Sequence, residues 1–175
     1  MHPALQRFAA LLIILLASTV PSRAITFNNT WDSSVTTNLP AADVAKFKAA
    51  IVYAEQQFQN VFTDAITINL TFVVRRGTRT LGASSANFIG TTYPEVKAAL
   101  IASAVSAADL SSVASLPAVD PAGPGGWSLP TAEAKALGII PANDPASDGT
   151  IYFGGGNSYT YDPASRKVVG KYDFI

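Results

Sequence analysis

The chain has 175 residues, no cysteine and a single histidine, His2, with 12 basic and 12 acidic side chains in balance. The lack of cysteine excludes a disulfide framework, an iron–sulfur cluster, a zinc finger and a thiol nucleophile. A hydrophobic fraction of 49% is that of a folded globular chain, not of a disordered one.

Residues 1–24 read as a secretory signal peptide. Arg7 supplies the positive start, Phe8 to Ala17 is an unbroken apolar run, and Ser22-Arg23-Ala24 offers small residues at the two positions a signal peptidase reads. The alternative is an uncleaved anchor, but the run is shorter than the roughly 20 residues a bilayer span requires and is followed by Pro21 and Arg23. Removing the first 24 residues leaves 151, enough for one domain, takes away Arg7 and Arg23, and leaves 10 positive against 12 negative charges. That balance does not suit nucleic acid, which calls for a clustered basic face. The mature chain then has no histidine. A Ser-His-Asp triad, histidine acid–base chemistry and His-ligated zinc therefore have no residues to draw on. The expected location is outside the cytoplasm, extracellular or periplasmic, with no membrane association after cleavage.

In chain order, Ile25-Thr26-Phe27 is a short strand and the polar stretch from Asn28 to Asn38 a loop. Pro40 and Asp43 suit a helix start. Val44, Phe47, Ile51, Ala54, Phe58 and Val61 recur at spacings of three and four, which predicts a helix over about 41–62. Ile66, Ile68, Leu70, Phe72 and Val74 then alternate with Thr67, Asn69, Thr71 and Val73, a strand with its apolar face against that helix. Arg75, Arg76 and Arg79 follow, either as a solvated strand end or as an anion or acidic-substrate contact.

Gly82 to Thr92 is small and polar and reads as a loop. Thr92-Tyr93-Pro94-Glu95 has the form of a capping box and predicts a helix to about Ala107, with Val96, Leu100 and Ala104 inward. Pro117 to Pro130 is irregular, and Thr131 to Leu137 forms a short helix stopped by Gly138. Thr150 to Phe153 and Ser158 to Tyr161, flanking Gly154-Gly155-Gly156-Asn157, predict a hairpin. The expected fold is thus a single α/β (α+β) domain over residues 25–175: a twisted mixed sheet, two longer helices and a C-terminal hairpin.

Several chemical motifs are weak. The triple glycine lacks the helix and Lys-Ser/Thr pair of a phosphate loop. Asp144, Ser147 and Asp148 lack the spacing and terminal glutamate of a calcium loop, and turn chemistry accounts for them better. A Ser–Lys dyad needs a proximity that sequence does not supply. Asn28-Asn29-Thr30 and Asn69-Leu70-Thr71 fit the N-glycosylation pattern, relevant only in a eukaryotic host, with Asn69 expected on the polar face of its strand.

Taken in order, a series of short segments resembles the secreted, zincin-like metalloproteases of bacteria. They are Ile25-Thr26-Phe27, Tyr53 to Phe58 leading through Phe62 and Asp64 to Ile66-Thr67-Ile68-Asn69, Leu81-Gly82, Tyr93 to Leu100, Leu116-Pro117, Ala134 to Gly138, Asp148 to Ile151, Tyr161-Asp162-Pro163 and Tyr172 to Ile175. The resemblance implies a zincin-like upper subdomain. In such proteins the last segment leads into the helix bearing His-Glu-x-x-His, which binds zinc and carries the general base. No residue of that motif occurs up to Ile175. The expectation is an N-terminal portion of a zinc-dependent endopeptidase acting on a peptide or protein. It carries no catalytic, cofactor-binding or metal-ligating residue of its own, and zinc is expected only in the full-length protein. The resemblance further implies that Thr150, Ile151, Tyr152 and Phe153 form the edge strand that pairs with substrate, the alternative being an ordinary core hairpin strand. The alternatives are a non-catalytic secreted module binding a wall component, glycan or partner protein through Trp127, Tyr152, Tyr159 and Tyr161, and a family member that has lost its catalytic helix.

Overall fold

In the computed structural model, residues 25–78 and 80–175 are described. The predicted signal peptide and Arg79 lie outside them. A mixed four-stranded sheet forms the centre. Strands β1 (Thr26–Trp31), β2 (Thr67–Arg75) and β6 (Gly149–Gly154) run parallel, and β3 (Gly82–Ala86) runs antiparallel, in the order β1-β2-β6-β3.

The strand β1 continues well past Phe27, through residues expected to form a loop. Parallel pairing with β2 from Thr26 opposite Thr67 to Trp31 opposite Phe72 gives its polar residues partners. Asn28 Nδ2 donates to Asn69 Oδ1 at 2.9 Å, and Trp31 stacks on Phe72 at 4.9 Å between centroids. A helical turn, α1 (Ser34–Asn38), follows instead of loop. Asp32 accepts the Ser34 N–H, and hydrogen bonding from the Ser34 side chain, then from its backbone, holds the Asp32 carboxyl below the usual aspartate range. β1 stops opposite Phe72, and α1 takes over beyond it: Ser34 Oγ accepts the Val74 N–H at 3.0 Å and Asn38 Nδ2 donates to the Val74 carbonyl at 2.7 Å.

The predicted long helix is α2 (Ala41–Gln59), which buries Phe47, Ala50 and Ile51. With the apolar face of β2 they build the core: Val35, Leu39, Phe47, Ile51, Phe72 and Val74, with Trp31, Leu70, Ile151, Phe153 and Phe174 packed against it. The helical stripe fails at its C-terminal end. Phe58 and Val61 are exposed, Val61 by 72%. Here α2 stands off the sheet over an apolar cavity of about 540 Å³, and the Phe58 ring meets those of Phe27 and Phe62.

The remaining elements flank this centre. β4 (Phe88–Thr91) pairs antiparallel with β5 (Trp127–Pro130), so the stretch 82–92 holds two strands where a loop was expected. The capping box forms at the start of α3 (Tyr93–Ser103), with Thr92 Oγ1 accepting from Glu95 N–H and Glu95 accepting from Thr92 N–H at 2.8 Å. α3 ends before Ala107, because Ser106 and Asp109 cap a separate helix, α4 (Ala107–Ala114). The Tyr93 hydroxyl and Lys97 ammonium both donate to the Pro117 carbonyl, fastening the irregular segment beneath α3. α5 (Thr131–Ala136) is followed by Gly138 at φ +69°, as a helix stop requires.

The expected C-terminal hairpin does not form. β7 (Tyr159–Thr160) pairs in parallel with β8 (Tyr172–Asp173), not with β6. The intervening Gly154–Asn157 turn is occupied by the β2–β3 connection: Gly155 N–H donates to Arg75 O and Gly156 N–H to Thr78 O. A Cβ on Gly154 would stand 2.1 Å from Thr80 O, which explains glycine there better than a phosphate cradle. Among the described residues no helix is long and apolar enough to cross a membrane.

Candidate functional site: the free edge of the sheet

The segment expected to be an edge strand lies inside the sheet. Phe72, Val73 and Val74 of β2 oppose Ile151, Tyr152 and Phe153 on one side, and Gly82, Ala83 and Ser84 of β3 oppose Phe153, Tyr152 and Ile151 on the other. Thr150, Ile151, Tyr152 and Phe153 thus have both backbone edges engaged. This corrects the assignment that the resemblance implied: β6 lies between β2 and β3, and its apolar residues suit a central strand.

The sheet's two edge strands are β1 and β3, and β3, Gly-Ala-Ser-Ser-Ala, is the one whose residues are all exposed. Its bonding phase is fixed from outside the strand. Leu81 accepts from Gly154 N–H, and Asn87 N–H donates to Asp148 O, so the odd-numbered residues bond toward β6. By antiparallel alternation, the N–H and C=O groups of Gly82, Ser84 and Ala86 point outward. β3 lacks the bulk, proline and lysine that commonly block an exposed edge.

The two ends of β6 hold β3 close. A Cβ on Gly149 would stand 2.6 Å from Ser85 O, and one on Gly154 would collide with Thr80 O. Just before Gly149 lies Asp148, which the sequence offers in a weak calcium pattern and in the segment Asp148 to Ile151. Its Oδ2 accepts from Lys135 Nζ at 2.6 Å and from the Asn69 N–H at 2.7 Å, with side chains 2% and 1% exposed for Asp148 and Lys135. Lys135 also donates to Thr67 O at 2.9 Å. The buried lysine is thus partnered by a carboxylate, not by a serine. Asp148 N–H donates to Asn69 O while its carbonyl accepts from Asn87, so this one residue ties β2, α5, β6 and the end of β3 together.

Asn69 is accordingly buried, not on a solvated face. Its amide donates to the carbonyls of Asp144 and Ala146 and its Oδ1 accepts from Asn28. A glycan on Asn69 has no room, whereas Asn28 is exposed.

The proposed contact aromatics are mostly committed to packing. Trp127 donates its Nε1–H to Asp120 and lies against Tyr93. Tyr159 is buried and donates to Leu81 O at 2.9 Å. Tyr161 packs on Phe47 and Phe174, and burial pushes its hydroxyl up to about 12. Tyr152 lies opposite Ala83 of β3, with the Arg75 guanidinium 4.0 Å above its ring. Arg76 is exposed beyond the strand.

Among the described residues, no group of three or more His, Cys, Asp or Glu side chains could hold a metal ion. The described residues do not fit a zinc site. Comparison of the chain with protein-family models, curated proteins and solved structures finds no match.

Proposed function

We propose that the chain is the N-terminal, sheet-bearing part of a secreted zinc-dependent endopeptidase with a zincin-like upper subdomain. Its own contribution is to hold an extended peptide or protein segment along Gly82–Ala86. The observation that supports this is the antiparallel edge strand itself: small, exposed, and with the outward backbone groups of Gly82, Ser84 and Ala86 open to a further strand. Main-chain hydrogen bonds would supply affinity and alternate side chains specificity. The metal, the general base and the bond-breaking step belong to residues outside this chain.

The test is to read the gene in frame past codon 175 and express the longer protein. A His-Glu-x-x-His motif, cleavage of casein and its abolition by a chelator support the reading. An extension without the motif, or cleavage indifferent to chelation, overturns it. Stoichiometric zinc binding by the 175-residue chain alone would overturn the placement of the ligands beyond it.

A further inference from the structure

Arg75 ends β2, two strands in from the free edge, and is exposed. Its guanidinium lies on the face of Tyr152, and it takes part in none of the ion pairs among the described residues. Stacking uses the face of the planar fork and leaves its N–H edges open to a carboxylate. Tyr152 stands opposite Ala83 in the antiparallel pair, so ring and methyl share one face of the sheet. Arg75, Tyr152, Ala83, Thr80 and Gly82 line one shallow depression, and no carboxylate borders it.

We propose that this face selects an acidic side chain from an extended peptide paired along Gly82–Ala86. The inference rests on the edge-strand reading and names the peptide chemistry that edge takes. An added strand runs about 4.8 Å beyond β3. Its residue opposite Ala83 projects over the face that carries Tyr152, and the Ala83 methyl is too short to screen it from the guanidinium. A glutamate there lies over Ala83 with its carboxylate turned toward the open N–H edge of Arg75. The exposed Arg76 adds charge of the same sign, so a lysine at that position is disfavoured.

Fluorescence anisotropy tests this with short labelled peptides in which threonine alternates with glutamate, glutamine or lysine, since alternation places one residue type on one face in any register. The chain binds the glutamate peptide about three- to fivefold more tightly than the glutamine peptide, the range of a partly exposed ion pair, and the lysine peptide least. In Arg75→Gln, an exposed substitution whose folding is checked by thermal melting, the preference for glutamate over glutamine disappears. Ser84→Pro removes an outward N–H without removing a bond to β6, and weakens all three peptides. Equal binding of glutamate and glutamine peptides overturns acid selection while strand pairing stands. Binding that ignores Ser84→Pro, or no binding of any peptide, overturns the edge-strand reading itself.

Discussion

Replacing Lys135 by methionine tests whether the buried ion pair with Asp148 holds the sheet edge in place. The side chains are 1% and 2% exposed, and the ammonium makes two hydrogen bonds, to Asp148 Oδ2 and Thr67 O. In Lys135→Met the methylene stem is replaced at similar volume, so packing changes little. The Asp148 carboxylate, however, remains buried with the Asn69 N–H as its one donor, since Oδ1 has no partner in the structure. Stranding one member of such a pair costs about 3–5 kcal/mol. Against a total stability of about 5–15 kcal/mol this is a large share, and with a urea slope of about 2 kcal/mol/M the midpoint falls by about 2 M. The double variant Lys135→Met/Asp148→Asn keeps an acceptor for the Asn69 N–H and removes the stranded charge, so it recovers most of the loss. Amide exchange adds the location: because Asp148 O receives the Asn87 N–H, protection falls in Gly149–Gly154 and at the end of β3 before it falls in α2. A loss below about 1 kcal/mol in Lys135→Met, or a double variant no better than the single one, would refute the reasoning.

Three further outcomes are expected. Gly154→Ala places a methyl 2.1 Å from Thr80 O and costs about 1–3 kcal/mol in urea unfolding, whereas Gly90→Ala, with nothing within 4 Å of its added Cβ, changes stability little; equal effects would show that the Gly154 contact relaxes freely. Burial raises the Glu55 carboxyl above its ordinary 4.5, against a hydrogen bond from Asn29 that lowers it. The stability tied to its protonation is therefore full below 4.5 and is lost as pH rises through the folded value. Glu55→Gln is accordingly the more stable protein at neutral pH and converges with the parent in acid, as thermal melts across pH would record. In a glycosylating secretion host, peptide mapping of the folded protein finds any glycan at Asn28 and none at Asn69, whose amide is enclosed by the Asp144 and Ala146 carbonyls; folded protein carrying a glycan on Asn69 would contradict that burial.

The parts of the fold legible in sequence are those where a single element carries its own signal. Phe47 and Ile51 at helical spacing, the alternation from Ile68 to Val74, the Thr92–Glu95 box and Gly138 each needed no knowledge of a neighbour. What escaped depends on pairing. The second half of β1 is Asn-Asn-Thr-Trp, and its strand state follows from the Asn28–Asn69 amide contact and the Trp31–Phe72 stack. β3 is Gly-Ala-Ser-Ser-Ala, with neither period nor propensity, and is a strand because β6 lies beside it. Alternation puts Asn69 on the polar face of its strand, but it identifies two faces without saying what covers the second. Here the segment from Asp144 to Asp148 covers it. Lys135 reads as an ordinary charge in a short helix, and its burial became visible only with Asp148 beside it.

The same distinction bears on the candidate site. The resemblance to zincin-like proteases directs attention to Thr150–Phe153 as the substrate-pairing strand. The structure uses that strand as the scaffold and leaves the exposed edge to a neighbour that sequence rules would discard. The glycines at both ends of β6 make sense in that light: at Gly149 and Gly154 the absent Cβ lets the backbone at Ser85 and Thr80 approach. Asp148, next to the first of them, fixes the start of β6 through Lys135 and Asn69. An edge that is to hold the proposed peptide has to be fixed from its inner side, since no strand pairs with its outer side. The buried ion pair and the close glycine contacts both lie on that inner side, which is why substitutions there are expected to loosen β3 without touching the proposed peptide contacts.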